Sequence, residues 1–291
     1  MCLDLVSVII RTKDRLEMLK NAIESVSKQT HSNIELIVVN DGGSSVESLI
    51  SAIDYPSIRQ KTHISFESNK GRSAAANAGL DASSGNFIMF LDDDDWVGEE
   101  HIAGLVEVLG DRDDCELVYS ATECVELIDD SWQTSSVFSS DFDRARLLVE
   151  NYIPIHSVLF SRKLLESGCR FDTNFQWLED WDFWLQASSH TNFCFHNKIT
   201  AYYRIAAESG FGMKSDSAVE LKYREMIYRK WVSLWSSGQL IEVLDRARSY
   251  PQLNQLQQLV EVRSDGLRIR ESQLEELDAD LQRARKQLDA Q

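Results

Sequence analysis

The densest chemistry in the chain is Asp92-Asp93-Asp94-Asp95, four carboxylates between the apolar run Phe87-Ile88-Met89-Phe90-Leu91 and Trp96. Four adjacent acids cannot sit unpaired in a core, because a buried charge is strongly disfavoured unless paired. They belong at the carboxyl end of a buried strand, where open α/β sheets place their ligands. Clustered hard oxygens there suit Mg2+ or Mn2+ held together with a phosphate. The competing reading is an acidic loop that caps the next helix. Asp41, after the apolar run Ile34–Val39, offers a carboxylate among turn residues, and Thr12 stands at another strand end. Farther on, Glu179-Asp180 lies among Trp177, Trp181 and Trp184, whose i, i+4, i+7 spacing makes one helical stripe.

These groups need elements to present them. Leu5–Ile10, Ile34–Val39 and Phe87–Leu91 read as strands buried on both faces, with a further strand near Ile64–Phe66. Between them, Leu16, Leu19, Ile23 and Val26 recur at helical spacing, Val46–Ile53 is a second helix, and Ser73 caps an Ala-rich third. That alternation is the signature of a wound, mostly parallel α/β sheet. Beyond Trp96 the pattern gives a helix over His101–Leu109, a strand over Glu116–Ala121 and a polar loop or irregular hairpin over Asp129–Ser140. A helix over Asp143–Glu150, a strand over Ile155–Phe160 and a helix through Trp177–Ala187 follow. Two strands at Phe193–Phe195 and Thr200–Ile205 precede helices over Ser217–Trp235 and Gln239–Ser249. His156, alone on an apolar strand, reads as a core histidine.

Composition bounds the function. With 291 residues, 43% hydrophobic, the chain can bury a large α/β core. A formal net charge of -17 argues against a nucleic-acid groove. Cys2, Cys115, Cys124, Cys169 and Cys194 are scattered without a CxxC pair, so reduced thiols and a cytoplasmic setting are expected, with no disulfide framework and no zinc site. Neither GxGxxG nor GxxxxGK[ST] occurs, which disfavours a dinucleotide fold and a P-loop. Leu253, Val260, Leu267, Leu274, Leu281 and Leu288 recur at strict sevens and point to a coiled coil over 251–291. Against it stand Gly266, Arg263 and Arg270 and the competing reading of a single amphipathic helix packed on its own chain.

Assembled in order, five segments resemble the family 2 glycosyltransferases of GT-A fold. They are Val6–Ile10, Ile37–Gly42, Asn69–Gly79, Phe90–Trp96 and Leu178–Asp182. The resemblance covers about residues 4–205 and implies a Rossmann-like, mixed, mostly parallel sheet flanked by helices. The helical and coiled-coil tail is added to it. The expected division is a nucleotide-sugar-binding half over 1–115, an acceptor-binding and catalytic half over 116–215, C-terminal helices over 216–250 and the tail.

The resemblance implies that Thr12 and Asp41 hold the nucleoside, that Asp94 binds Mn2+ or Mg2+ directly, with Asp92 as a further metal residue, and that Asp92 and Asp93 are shared between metal and donor ribose. The DxD motif of the family falls on Asp92-Asp93-Asp94. Its ED motif falls on Glu179-Asp180, which makes Asp180 the base, with Glu179, Trp181 and Arg204 as acceptor-side or supporting residues. The tryptophan stripe is most simply core that fixes the helix of Asp180. Asp95 is left as a helix cap or a supporting residue. The chain departs from the family at Arg11-Thr12-Lys13, where an aromatic base platform is missing, and at Ala76, where an arginine is usual. Lys70 or Arg72 is then the candidate for the diphosphate, and Arg204 or Lys214 replaces a histidine the family often places after Tyr203-Arg204.

The implied activity is an inverting, metal-dependent hexosyltransferase. It carries sugar from a nucleotide-sugar donor to a glycan or lipid-linked acceptor in surface polysaccharide or glycolipid synthesis. It works in the cytoplasm or peripherally at the inner membrane face, without nucleic acid, and with a homo-oligomeric or enzyme partner gathered through the tail. The alternatives are a sugar-nucleotide pyrophosphorylase, which needs glycine after the first strand where Arg11–Arg15 has none, and an inactive GT-A scaffold assembled by the coiled coil.

Overall fold

In a computed structural model of the chain, residues 3–112, 114–205 and 217–246 are described, together with Arg248 and Leu274. The elements in order are β1 (Val6–Thr12), α1 (Leu16–Ser27), β2 (Ile34–Asn40), α2 (Glu47–Ser51), β3 (Ile58–Ser65), α3 (Arg72–Ala82) and β4 (Phe87–Asp92). Next come β5 (Trp96–Val97), α4 (His101–Gly110), β6 (Cys115–Ile128), β7 (Ser131–Phe138) and α5 (Arg144–Leu147). A 3-10 turn at Ile155–Ser157 leads into β8 (Val158–Ser161), α6 (Lys163–Glu166), α7 (Glu179–Ser188), β9 (Asn192–Ile205) and α8 (Ser217–Trp231).

One sheet runs β3-β2-β1-β4-β8-β6-β9-β5, with β7 paired to β6. The four strands β3, β2, β1 and β4 are parallel, as the wound pattern requires, whereas β8 runs antiparallel to both β4 and β6. Every residue of β1 and β2 is buried, which is why those strands read as unbroken apolar runs. Alternate β1 residues Val6, Val8 and Ile10 join one core with Leu19, Ile23 and Val26 of α1 and Ile102 and Leu105 of α4. Ile9 points to the other face, against α3. There Gly79 permits the close approach, since a Cβ on it would lie 2.4 Å from Ile9 Cγ2. On that face Phe90 meets Phe160 and Phe171, and Phe183 of α7 stacks on Phe171.

The register brings the strand ends level. Arg11 stands beside Asp92 across β1 and β4, and Thr12 beside Asn40 across β1 and β2. At the opposite end of the sheet the buried Glu35 accepts the Ser7 hydroxyl and both the N–H and hydroxyl of Ser84, so its charge is satisfied where it is enclosed.

Several sequence expectations are corrected. Of the two readings of the polar segment 129–140 the hairpin holds and the loop does not, since most of it is β7, the arm paired antiparallel to β6. It alternates nothing because its residues are almost all exposed. The third strand begins at Ile58, six residues earlier than expected, as a half-exposed edge without an apolar run. The helix expected over Asp143–Glu150 shrinks to α5, and the two strands expected after 193 are one, β9. Reduced cysteines are overturned for one pair. Cys115 and Cys194, 79 residues apart, form a disulfide between neighbouring strands β6 and β9, with Cα atoms 6.1 Å apart. Cys124 and Cys169 are free and buried.

The chain divides into a unit of residues 1–234 and a second from residue 235. The described part of the second unit contains a helix over 237–246. The heptad row of 251–291 lies outside the described residues apart from Leu274, as do Lys214 and residues 206–208. Among the described residues no helix is long and apolar enough to cross a membrane.

Candidate active site

Arg11 is the hub of the site, and sequence reasoning missed it. It is the one charge on the buried β1, only 7% exposed, and that burial is the signal that was available. Its guanidinium donates to Asp92 Oδ1 (Nη2 at 2.6 Å, Nε at 3.2 Å) and to Glu179 Oε1 (Nη1 at 2.9 Å). Burial opposes its charge, but the two carboxylates more than compensate and hold its pKa above the ordinary value. Burial likewise pushes Asp92 up, and Arg11 and Arg72 outweigh that and bring it below the usual carboxylate range.

The four acids have separate surroundings. Asp93 accepts the Thr12 hydroxyl at 2.7 Å and an Arg15 N–H at 3.2 Å, and burial raises its pKa. Asp94 pairs with Arg15 at 2.8 Å, yet burial and the like charges of Asp95, Asp92 and Asp93 push it up to about 6. Asp95 is buried and accepts the Arg204 backbone N–H at 2.9 Å. It is not the cap of α4, which begins six residues later behind Glu100. Its Oδ2 lies 3.0 Å from Nδ1 of His156, a fully buried ring stacked on Tyr203. Burial disfavours the imidazolium, but Asp95 and then Asp92 and Asp94 raise the His156 pKa.

Oxygens of Asp92, Asp94 and Asp95 all lie within 4.8 Å of one another. Three hard oxygens with mutually repelling charges, one carboxyl already displaced upward, are a donor set that a divalent cation fits. Asp93, turned toward Thr12, is not part of that set.

Asp41 shapes a loop. Its two oxygens accept the backbone N–H groups of Lys70 (2.7 Å) and Gly71 (2.9 Å). Gly71 has φ +92, the left-handed region that favours glycine, whereas the nearest obstacle to a Cβ is only the tip of the exposed Gln176 side chain. The loop sends its two cations apart. Lys70 Nζ lies 4.5 Å over the Phe66 ring, whereas Arg72 lines a cleft of about 370 Å3 with Thr12, Lys13, Asp41, Asp94 and Trp177. Ser73 does not cap α3. Its hydroxyl donates to Phe175 O, and Gly71 occupies the cap position.

A smaller cleft, about 130 Å3, shares Arg11, Arg72, Asp92 and Trp177 with the larger one and contains Glu179 and Asp180. Leu178, just before α7, is held at φ +60, a left-handed conformation that costs a non-glycine residue of order 1–3 kcal/mol. That bend starts the helix at Glu179 and leaves Trp177 outside the expected stripe, on the wall of both clefts. Trp181 and Trp184 are core, their indole N–H groups donating to Leu147 O at 2.6 Å and Ile153 O at 3.1 Å. Asp180 Oδ1 accepts the Trp181 N–H and Oδ2 accepts Asn151 Nδ2, both at 2.8 Å. Burial, then the neighbouring Glu179 charge, pushes Asp180 up to about 6. Arg204 is not among the residues lining the Asp180 cleft. Its guanidinium lies 5.3 Å over Trp132, in a third cleft beside Trp96.

The family model described as Glycosyl transferase family 2 matches residues 7–168, more than half of the chain. The chain belongs to that family. This family 2 glycosyltransferase is 32% identical over 189 residues to the uncharacterised glycosyltransferase YwdF of Bacillus subtilis (strain 168), covering 63% of this chain and 68% of the relative. It is 28% identical over 223 residues to a PGL/p-HBAD biosynthesis glycosyltransferase of Mycobacterium bovis (strain BCG / Pasteur 1173P2), covering 75% and 81%. Its GT-A fold is shared with solved structures. S. aureus TarS 1-349 in complex with UDP-GlcNAc superposes with a TM-score of 0.58 at 18% identity, over 72% of this chain and 60% of TarS. The mannosyltransferase PcManGT from Pyrobaculum calidifontis, in complex with GDP-Man and Mn2+, gives 0.58 at 15% identity, over 84% and 69%.

Proposed function

We propose that this family 2 member is an inverting, metal-dependent glycosyltransferase that moves a hexose-type sugar from a nucleotide-sugar donor to a hydroxyl of a glycan or lipid-linked acceptor. One observation carries the reading. The Asp180 carboxylate, displaced toward neutral pH, stands in a small cleft that shares Arg11, Arg72, Asp92 and Trp177 with the larger one as common wall. The arrangement suits a donor in one cleft and an acceptor in the other, with reacting atoms meeting at the shared wall.

In this reading Thr12 and Asp41 hold the nucleoside, and Arg72 rather than Lys70 meets the diphosphate, because only Arg72 lines the cleft. Asp92 and Asp94, with Asp95 beside them, would hold Mn2+ or Mg2+. A bound divalent ion neutralises charge gathering on the departing nucleoside diphosphate. Asp180 takes the proton of the acceptor hydroxyl, and attack from the face opposite the leaving group inverts the anomeric carbon. Glu179 keeps its bond to Arg11 and stays out of proton transfer. Work in surface polysaccharide or glycolipid assembly accords with the name of the mycobacterial relative, a PGL/p-HBAD biosynthesis glycosyltransferase.

Calorimetry with UDP, GDP and dTDP, with and without Mn2+, tests the donor half. Asp94→Asn is expected to abolish the metal-dependent part of binding, and Asp180→Asn to bind normally while losing transfer. Absence of binding to all three nucleotides would sink the proposal, and full transfer by Asp180→Asn would remove Asp180 as the base.

A further inference from the structure

One wall of the Asp180 cleft is built by Asn151–Ile155, most of it in the stretch 148–154 that has no regular structure between α5 and the turn before β8. This stretch and the last residue of α5 are tied down at four points. Trp181 and Trp184 donate to Leu147 O and Ile153 O, the Tyr228 hydroxyl of α8 donates to Val149 O at 2.9 Å, and Asn151 reaches back to Asp180. The helix that carries Asp180 therefore fixes the backbone on both sides of Asn151. An amide facing a carboxylate must turn its NH2 toward it, so the orientation of Asn151 follows from chemistry. That orientation leaves Asn151 Oδ1 enclosed and without a hydrogen-bond partner among the described residues. An enclosed acceptor left unmatched destabilises the fold, and such groups call for a reason. The bond to Asp180 supplies one.

We propose that Asn151 is a positioning residue for the Asp180 base, its N–H holding Oδ2 at the cleft in one orientation. The inference rests on the proposed role of Asp180. With the Trp181 N–H on Oδ1, the Asn151 bond leaves the carboxylate no rotational freedom, so its remaining lone pairs face a fixed direction. The bond also favours the ionised form against burial and against the adjacent Glu179 charge. The other charged and titratable groups on this cleft are Arg11, Arg72, Asp92, Tyr152 and Tyr203.

The test compares wild type with Asn151→Ala, Asn151→Asp and Asp180→Asn in the full chain. Binding of UDP and GDP with Mn2+ is measured first, then kcat for sugar transfer or donor hydrolysis across pH. The titration of the Asp180 carboxyl is followed by carbon-13 NMR, which needs no turnover. Asn151→Ala is expected to leave nucleotide binding within about twofold, lower kcat about tenfold, and move the acidic limb and the Asp180 titration upward by about one pH unit. Asn151→Asp keeps the size of the side chain, adds a like charge, and is expected to move both further. Unchanged kcat and unchanged Asp180 titration in both variants overturns the proposal, as does a loss of nucleotide binding parallel to the loss of kcat. If Asp180→Asn keeps full transfer, the base assignment fails instead, and the two failures are distinguishable.

Discussion

Asp180 is disfavoured as a charge in the folded protein, and that should be visible in stability as well as in rate. Its carboxyl rises from 3.8 to about 6 on folding, burial being the main cause. A carboxyl raised in the folded state contributes stability that is complete below about 3.8 and lost as pH rises through about 6. Asp180→Asn cannot ionise, so its melting temperature relative to wild type is expected to climb between pH 4 and pH 8, read by circular dichroism. An unchanged difference across that range would mean that the carboxyl is solvated in solution. The acids themselves were legible in the sequence, because runs such as Asp92–Asp95 and Glu179-Asp180 are local. Arg11, Asn151 and His156 as an Asp95 partner were not. Their partners lie 81 and 168 residues away for Arg11 and 29 for Asn151, and nothing in the chain text names such pairs. Lys70 and Arg72 looked equivalent on paper, and only the turn at Gly71 separates them.

At the scale of elements, β1, β4 and α7 are joined by one guanidinium. Arg11→Met leaves Glu179 as an enclosed charge and Asp92 as a partly exposed one without their cation, and is expected to destabilise the fold by roughly 3 kcal/mol. Thermal unfolding of Arg11→Met and of Arg11→Met with Glu179→Gln checks this, since the second change should recover part of the loss. The central elements were readable for the same reason that they are stable. Strands β1, β2 and β4 are enclosed on both faces and announce themselves as Val/Ile-rich runs. Strand β3 was placed too late and β7 was left between loop and hairpin, because an edge or a solvated hairpin arm needs no apolar face, and its sequence of Arg, Gln, Lys, Ser and Thr looks like a loop. The start of α7 was misplaced because the left-handed Leu178 breaks a spacing that, in sequence, runs through Trp177 without interruption.

For the whole molecule, the unexpected feature is the bridge between Cys115 and Cys194. It closes a loop with a sequence separation of 79, so the unfolded chain is constrained over a long stretch. Reduction is expected to lower stability by roughly 2–4 kcal/mol, a fall of roughly 4–16 °C in melting temperature, in wild type but not in a Cys115→Ser, Cys194→Ser variant. Scattered, odd-numbered cysteines gave no hint of it, because only the register of β6 on β9 places the two sulfurs side by side.

The Arg11 bridge also sets what an engineer can change. One guanidinium gauges the separation between the acid run and the helix of Asp180, so in the proposed reaction the reach from leaving group to base is the same for every acceptor. Retargeting toward another acceptor then belongs to Tyr152–Ile155 and to Phe138 and Tyr203, which border the small cleft without carrying the gauge or the Asn151 bond to Asp180. Libraries that randomise this rim and leave Arg11, Asp92 and Glu179 untouched should yield folded variants with altered selectivity, whereas libraries that include Arg11 should be dominated by chains that do not fold.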